Sequence, residues 1–168
     1  SPDSGYSDEQ TGRITSVIHS GTVSGPIQVV ASLTTSSGTV TSSPVRILIH
    51  SGQPDQAHMS IGANPINVAG LDWNQRTSTI TVQVGDKYGN PVPEGTAVHF
   101  TSEIGIVTTS PGLTDADGLV SATLYSANPR SADGFGYVKA TTIGEGGAIV
   151  TDSVRMLFSG QALIDSVK

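Results

Sequence analysis

The chain has 168 residues, of which only 13% are charged, and its formal net charge at pH 7 is −6. Eight Lys and Arg residues cannot assemble a basic face, which excludes nucleic acid as a partner. The absence of cysteine excludes a disulfide framework and a thiolate metal site. No apolar run approaches the ~20 residues of a membrane helix, so we expect no membrane contact by this segment.

Three alternating apolar runs in the first 53 residues, 13–19, 27–34 and 44–50, are predicted to form β-strands. Alternation with a period of two is typical of strands that bury one face. The predicted inward face carries seven small or branched apolar residues: Ile14, Ile18, Val29, Ala31, Val45, Ile47 and Ile49.

After a linker at Gln53–Asp55, a strand is predicted at 57–61, bent at Asn64-Pro65 and continued on another sheet at 68–70. Alternation then predicts strands at 79–84, 97–101, 119–125, 137–140 and 154–158. Gly, Pro, Asn and Asp separate these runs, and many short strands between such turns indicate an antiparallel β-sandwich. The predicted core residues are Ile80, Val82, Val84, Val98, Phe100, Val120, Ala122, Leu124, Val138, Ala140, Val154, Met156 and Phe158.

An internal repeat links the two parts of the chain. Val45–Gln53 recurs as Val154–Gln161, with one residue deleted, 109 residues later in the chain. Upstream segments agree in the same order, pairing Ile14 with Val120, Ile18 with Leu124, and Val29 with Val138. A repeat at this distance indicates tandem modules. The sequence therefore predicts the C-terminal half of a first module at 1–53, a complete module at 54–162, and a tail or linker at 163–168.

A half-module would expose its apolar face. Burying one Val or Ile is worth roughly 1.5–3 kcal/mol, so six exposed residues would forfeit on the order of 10 kcal/mol. We therefore predict a homodimer through residues 1–53, in which a second copy covers this face. The alternative is that missing strands upstream in the intact protein cover it.

Two turns carry a family resemblance. The run Ile80–Phe100 contains a strand, a D-x-x-G-N-P-V-P turn at Asp86–Pro93 and a V-x-F strand, and Thr114–Val120 contains a second turn, T-D-A-D-G-L-V. Together they resemble the bacterial immunoglobulin-like domain of the intimin/invasin type (group 1). The resemblance covers most of 56–160 and implies an all-β, immunoglobulin-like antiparallel β-sandwich. The insert at 125–135 and Trp73 depart from the pattern.

The resemblance implies a non-catalytic structural spacer in a bacterial cell-surface adhesin, exposed outside the cell, with neighbouring Ig-like modules as partners. Two alternatives are a carbohydrate- or receptor-binding module that contacts a host receptor or glycan, and an accessory domain of a secreted polysaccharide hydrolase. More copies of the repeat in the same gene would favour the spacer, whereas a catalytic domain would favour the accessory role.

The acidic turn at Asp115–Gly118 begins like a calcium loop. An EF-hand needs an oxygen ligand at position 5 and Glu at position 12, but these places hold Leu119 and Ser126. The turn is therefore predicted to be structural. A calcium ion bridging modules through Asp55, Asp72 or Asp86 is the alternative. We expect no metal site, no cofactor and no catalytic residue, because the histidines are scattered and the chain has no G-x-S-x-G elbow.

Trp73, flanked by Asp72 and Asn74, is the candidate ligand contact. Exposed aromatic rings stack on sugars, and aromatic residues are enriched in binding hot spots. Asp72 and Asn74 could donate or accept hydrogen bonds beside such a ligand. The alternative is that Trp73 plugs one end of the sandwich.

Overall fold

The computed structural model describes residues 4–160, and these form two compact units that divide between Ile49 and His50. The predicted tail at 163–168 and the end of the second module lie outside the described residues. Over the described range, no helix is long and apolar enough to cross a bilayer.

Over residues 4–49, the first unit contains four strands: β1 (Gly25–Val29), β2 (Ser32–Thr35), β3 (Gly38–Thr41) and β4 (Val45–Ile49). β1 pairs with β4 and β2 pairs with β3, both antiparallel. The four strands therefore form one long hairpin, interrupted where Ser42 donates its backbone N–H to Ala31.

The prediction for the first unit was right at 44–50 and incomplete elsewhere. The run 27–34 is split into β1 and β2, and β3 was not predicted. The strand predicted at 13–19 is wrong for this structure, in which these residues form no strand. Alternation alone cannot make a strand, because a strand needs a neighbouring strand to hydrogen-bond its backbone.

The second unit contains nine strands: β5 (Pro54–Asn64), β6 (Asn67–Val68), β7 (Thr77–Asp86), β8 (Ala97–Ser102), β9 (Ile106–Thr108), β10 (Gly112–Leu113), β11 (Leu119–Tyr125), β12 (Phe135–Ile143) and β13 (Ile149–Phe158). One sheet has the order β5-β7-β11-β9, and the other β10-β8-β12-β13-β6. They match the A-B-E-D and C-F-G sheets of an immunoglobulin domain, so the predicted immunoglobulin-like sandwich is confirmed.

One strand pair departs from the predicted antiparallel arrangement, since β6 runs parallel to β13. The chain leaves the first sheet after Asn64, at the bend predicted for Asn64-Pro65, and joins the other sheet at Asn67. Asn67 and Val68 there pair in parallel with Leu157 and Phe158, at the C-terminal end of β13.

The core lies between the two sheets and contains all but one of the residues predicted for it. Ile80, Val82 and Val84 are fully buried, whereas Val154 is only partly buried. Sequence periodicity did not identify five members of the core. Met59 and Val150 lie in the long strands β5 and β13, Val68 lies in the short strand β6, and Val92 and Ile104 lie in loops.

Candidate ligand-binding loop and the buried Asp86 turn

Trp73 lies in the loop that joins β6 to β7, at one end of the second unit, and 47% of its surface is exposed. The guanidinium carbon of Arg76 lies 5.4 Å from the centre of its ring, within the range of a cation–π contact. About half of the Trp73 surface is thus accessible to a ligand, and both interpretations made from the sequence remain predictions.

Ser126 fixes this loop in place. Its side chain is fully buried, and its hydroxyl donates to the Trp73 carbonyl oxygen at 2.7 Å and accepts from the Arg76 backbone N–H at 2.9 Å. The Gln75 backbone N–H donates to the Ser126 carbonyl, and Gln75 has a φ of 62°. A non-glycine residue in this left-handed region is uncommon, and here the bonds around it hold the conformation.

Arg130 is the residue that sequence reasoning missed. Its Nε donates to the Gly70 carbonyl at 2.8 Å, and its Nη2 donates to the Trp73 carbonyl at 3.3 Å and to Asn74 Oδ1. Arg130 belongs to the insert at 125–135, whose departure from the family pattern was the available signal. The fixed planar fork of a guanidinium suits this role, because it can bond several carbonyl oxygens at once.

The candidate residues are brought together only in part. An open groove of about 410 Å³ runs beside the loop, and Asn74 lines it, but Asp72 and Trp73 do not. The Asn74 side-chain oxygen is already engaged by Arg130, which leaves the orientation of the amide fixed. The groove is lined by two amide side chains, Asn74 and Gln75, and by small, apolar or aromatic residues: Ile106, Thr108, Tyr125, Ser126 and Ala127.

Asp86 organises the D-x-x-G-N turn as a buried anion. Only 1% of its surface is exposed, and its carboxylate accepts bonds from the backbone N–H groups of Gly52 (2.8 Å), Tyr88 (2.9 Å) and Asn90 (2.9 Å). The Asn90 side-chain amide donates to both carboxylate oxygens. Burial pushes the pKa of Asp86 upward, but hydrogen bonds from Asn90, Gly52 and Tyr88 outweigh it and lower the pKa to about 2.

Gly52 lies two residues before β5, so Asp86 ties the segment that enters the module to the body of the module. Gln56 adds a second tie, since its side-chain amide donates to the Thr151 carbonyl at 2.8 Å and accepts from the Thr151 N–H at 3.0 Å. The start of β5 is thus bonded to both sheets, β7 through its ladder and β13 through Gln56.

The acidic turn before β11 is structural, as predicted. Asp115 Oδ1 accepts from the backbone N–H groups of Asp117 and Leu119, both at 2.9 Å, and Gly118 has a φ of 73°. Among the described residues, no group of three His, Cys, Asp or Glu side chains could hold a metal ion. Asp55 Oδ2 lies 3.0 Å from His58 Nδ1, within hydrogen-bonding distance.

Comparison with known proteins adds two similar solved structures. The adhesin InvE of Yersinia pseudotuberculosis is 26% identical, with a TM-score of 0.45, over 61% of this chain and 28% of that one. The D0-D1 domain of intimin is 23% identical, with a TM-score of 0.45, over 79% of this chain and 64% of that one.

The chain spans less than two thirds of the length of either structure. A scan against family models and a search of curated proteins find no match.

Proposed function

We propose that this chain is a non-catalytic spacer of tandem immunoglobulin-like modules in a bacterial cell-surface adhesin. The observation that carries the proposal is the buried Asp86 carboxylate, which bonds the entering segment at Gly52 and the β7–β8 turn at once. A spacer has to restrict the motion of the segment that enters each module. The Asp86 carboxylate restrains this segment at Gly52, two residues before β5.

The outer surface suits the same role. Outward positions of β7 and β11 carry Thr79, Thr81, Ser121 and Thr123, and the side chains of Thr81 and Ser121 lie 3.3 Å apart. Short hydroxyl side chains remain solvated at little entropic cost. A net charge of −6 opposes association between copies of the chain. We place such a surface outside the cell, where the chain would support adhesion without binding the receptor itself.

Force spectroscopy tests the spacer role. The chain is stretched between its ends, and we expect the second unit to unfold in one step, at a force that falls markedly when Asp86 is replaced by Asn. The matched control is Asp117→Asn, which changes an exposed carboxylate in another turn. An unfolding force that is equal in all three proteins would contradict the mechanical role of Asp86.

The second candidate function is glycan or receptor binding, and the half-exposed Trp73 on its clamped loop favours it. A loop fixed by Ser126 and Arg130 would lose little freedom on binding, which favours affinity. A glycan array and a host-cell binding assay separate the two functions. Binding by the wild type that disappears in Trp73→Ala would establish the binding module, and no binding by the wild type supports the spacer.

A further inference from the structure

The turn that precedes β11 in the second unit recurs in the first unit. The Asp8 backbone N–H donates to the Arg13 carbonyl at 2.8 Å, just as the Asp115 N–H donates to the Leu119 carbonyl at 2.8 Å. In both turns the aspartate Oδ1 accepts backbone N–H bonds from within the turn. Each turn also contains a glycine with positive φ: Gly12 and Gly118.

Arg13 thus occupies the place at which β11 begins with Leu119. β11 pairs with β7 on one side and β9 on the other, whereas residues 13–19 form no strand. The apolar side chains that would face a core are exposed, 56% for Ile14 and 49% for Ile18. This segment has the turn and the residue pattern of β11 but lacks the neighbours that make β11 a strand.

The hairpin that follows also has its counterpart. Ile47 lies opposite Ile27, and Met156, its repeat equivalent, lies opposite Gly136. Met156 is fully buried between the two sheets of the second unit, whereas Ile47 is 40% exposed. The first unit thus carries the equivalents of β11, β12 and β13, and the second unit shows that a sheet containing β7 covers this face.

We propose that the apolar face of the β1–β4 hairpin is a docking surface for a segment with the residue pattern of β5 to β10, in which the equivalents of β5, β7 and β9 form the antiparallel sheet over that face. This segment would come from the same polypeptide, ahead of the Asp8 turn, with its strands in the order found in the second unit. Residues 13–19 would then form a strand of that sheet, beside its equivalent of β7. The inference concerns how the first unit completes its core and is independent of the spacer function.

The repeat favours this occupant over a second copy of the chain. A two-fold contact between hairpins would cover Val45 and Ile47, but it would provide no equivalent of β7 to pair with residues 13–19. In the second unit, β7 pairs with β11 over the whole length of β11, from Leu119 to Tyr125. A sheet that contains an equivalent of β7 supplies both the apolar cover for the hairpin and the backbone hydrogen-bond partners for residues 13–19.

An extended chain tests the proposal. A copy of residues 54–111 is joined directly to Gly5, because Gly5-Tyr6-Ser7-Asp8 corresponds to Gly112-Leu113-Thr114-Asp115. Hydrogen exchange is then compared with the original full chain. We expect amide protection in 13–19 and 25–49 to rise about 100-fold or more, in a protein that remains monomeric by light scattering.

Two controls make the result specific. The same extension with Val82→Asp in the added copy should restore fast exchange. In the extended chain, Ile47→Ser should reduce protection of the hairpin at least 10-fold, whereas Leu48→Ser, which alters the opposite face of the same strand, should not. Unchanged exchange, aggregation of the extended chain, or an original chain that is already dimeric and protected would each overturn the proposal.

Discussion

Val29 lies directly opposite Val45 in the first unit, and the residues 109 positions later, Val138 and Val154, lie directly opposite each other in the second. Neighbouring pairs agree as well, with Gln28 facing Arg46 where Tyr137 faces Arg155. The sequence repeat is therefore a repeat of strand register. Register fixes which face of a strand points inward, so equal register means that both hairpins present the same face.

Removing the Asp86 carboxylate should destabilise the second unit. Asp86→Asn places an amide N–H₂ where a carboxylate oxygen accepts from Gly52 or Tyr88, so we expect the free energy of unfolding to fall by about 2 to 3 kcal/mol. Urea unfolding monitored by fluorescence measures this change, because Trp73 is the single tryptophan and reports on the second unit. Asp117→Asn should change the stability by less than about 0.5 kcal/mol.

The same carboxylate predicts a pH dependence with a definite sign. The pKa of Asp86 is lowered to about 2 in the folded protein, so the folded state binds the proton less readily than the unfolded chain, whose pKa is about 3.9. The stabilisation, on the order of 2 kcal/mol, is therefore fully present above pH ~4 and is lost as the pH falls through 2. Unfolding curves from pH 6 to pH 2 should show wild type and Asp86→Asn converging, and a constant difference would contradict this.

Long strands were predictable from the sequence, and short ones were not. β7 and β11 alternate over many residues, so their inward faces at Ile80, Val82 and Val120 could be assigned directly. β9 and β10 have three and two residues, too few for a period to appear, and they exist because β11 and β8 offer open edges. The strand predicted at 13–19 has the right pattern but pairs with no strand among the described residues.

The candidate loop shows a second limit of sequence reasoning. Trp73 and Asn74 could be proposed because aromatic and amide side chains stand out in a polar loop. Arg130 is 56 residues away from Asn74 in the sequence, and its bonds to Gly70 and Trp73 run to backbone carbonyls. Every residue carries a backbone carbonyl oxygen, so no sequence motif could have identified Arg130 as the hydrogen-bond donor to Gly70 and Trp73.

Arg130 is expected to set the order of the Trp73 loop. Arg130→Ala removes bonds to Gly70, Trp73 and Asn74, so the loop should loosen while the sandwich stays folded. Fluorescence anisotropy of Trp73 should fall, and the Gln75 amide should exchange at least 10-fold faster. Arg130→Lys should not restore order, since an ammonium group cannot reproduce the planar fork. The matched control is Arg76→Ala, which removes only the contact with the Trp73 ring, and an equal loosening there would contradict the role of Arg130.

Two turn glycines should respond differently to the same substitution. Gly118 and Gly95 both have positive φ, 73° and 86°, but a Cβ at Gly118 would lie 2.5 Å from the Val84 carbonyl oxygen, whereas one at Gly95 would meet nothing within 4 Å. Both alanine variants bear the conformational cost of roughly 1 kcal/mol. Gly118→Ala should lose at least about 1 kcal/mol more in urea unfolding, because β7 or the turn must shift. Equal losses would mean that the turn adjusts freely.

Repeat-equivalent core residues should differ sharply in their contribution to stability. Met156 is fully buried beneath the β7 sheet, and its equivalent Ile47 is 40% exposed. Met156→Ala should cost the second unit about 2 to 5 kcal/mol, the range found when a buried side chain of this size is truncated. Ile47→Ala should leave the Trp73-monitored transition unchanged and alter the hairpin by less than about 1 kcal/mol, since a side chain that stays 40% exposed gains only part of its transfer free energy. A large loss on Ile47→Ala would show that something covers the hairpin in solution, and sedimentation equilibrium of the wild type would then reveal whether that cover is a second copy of the chain.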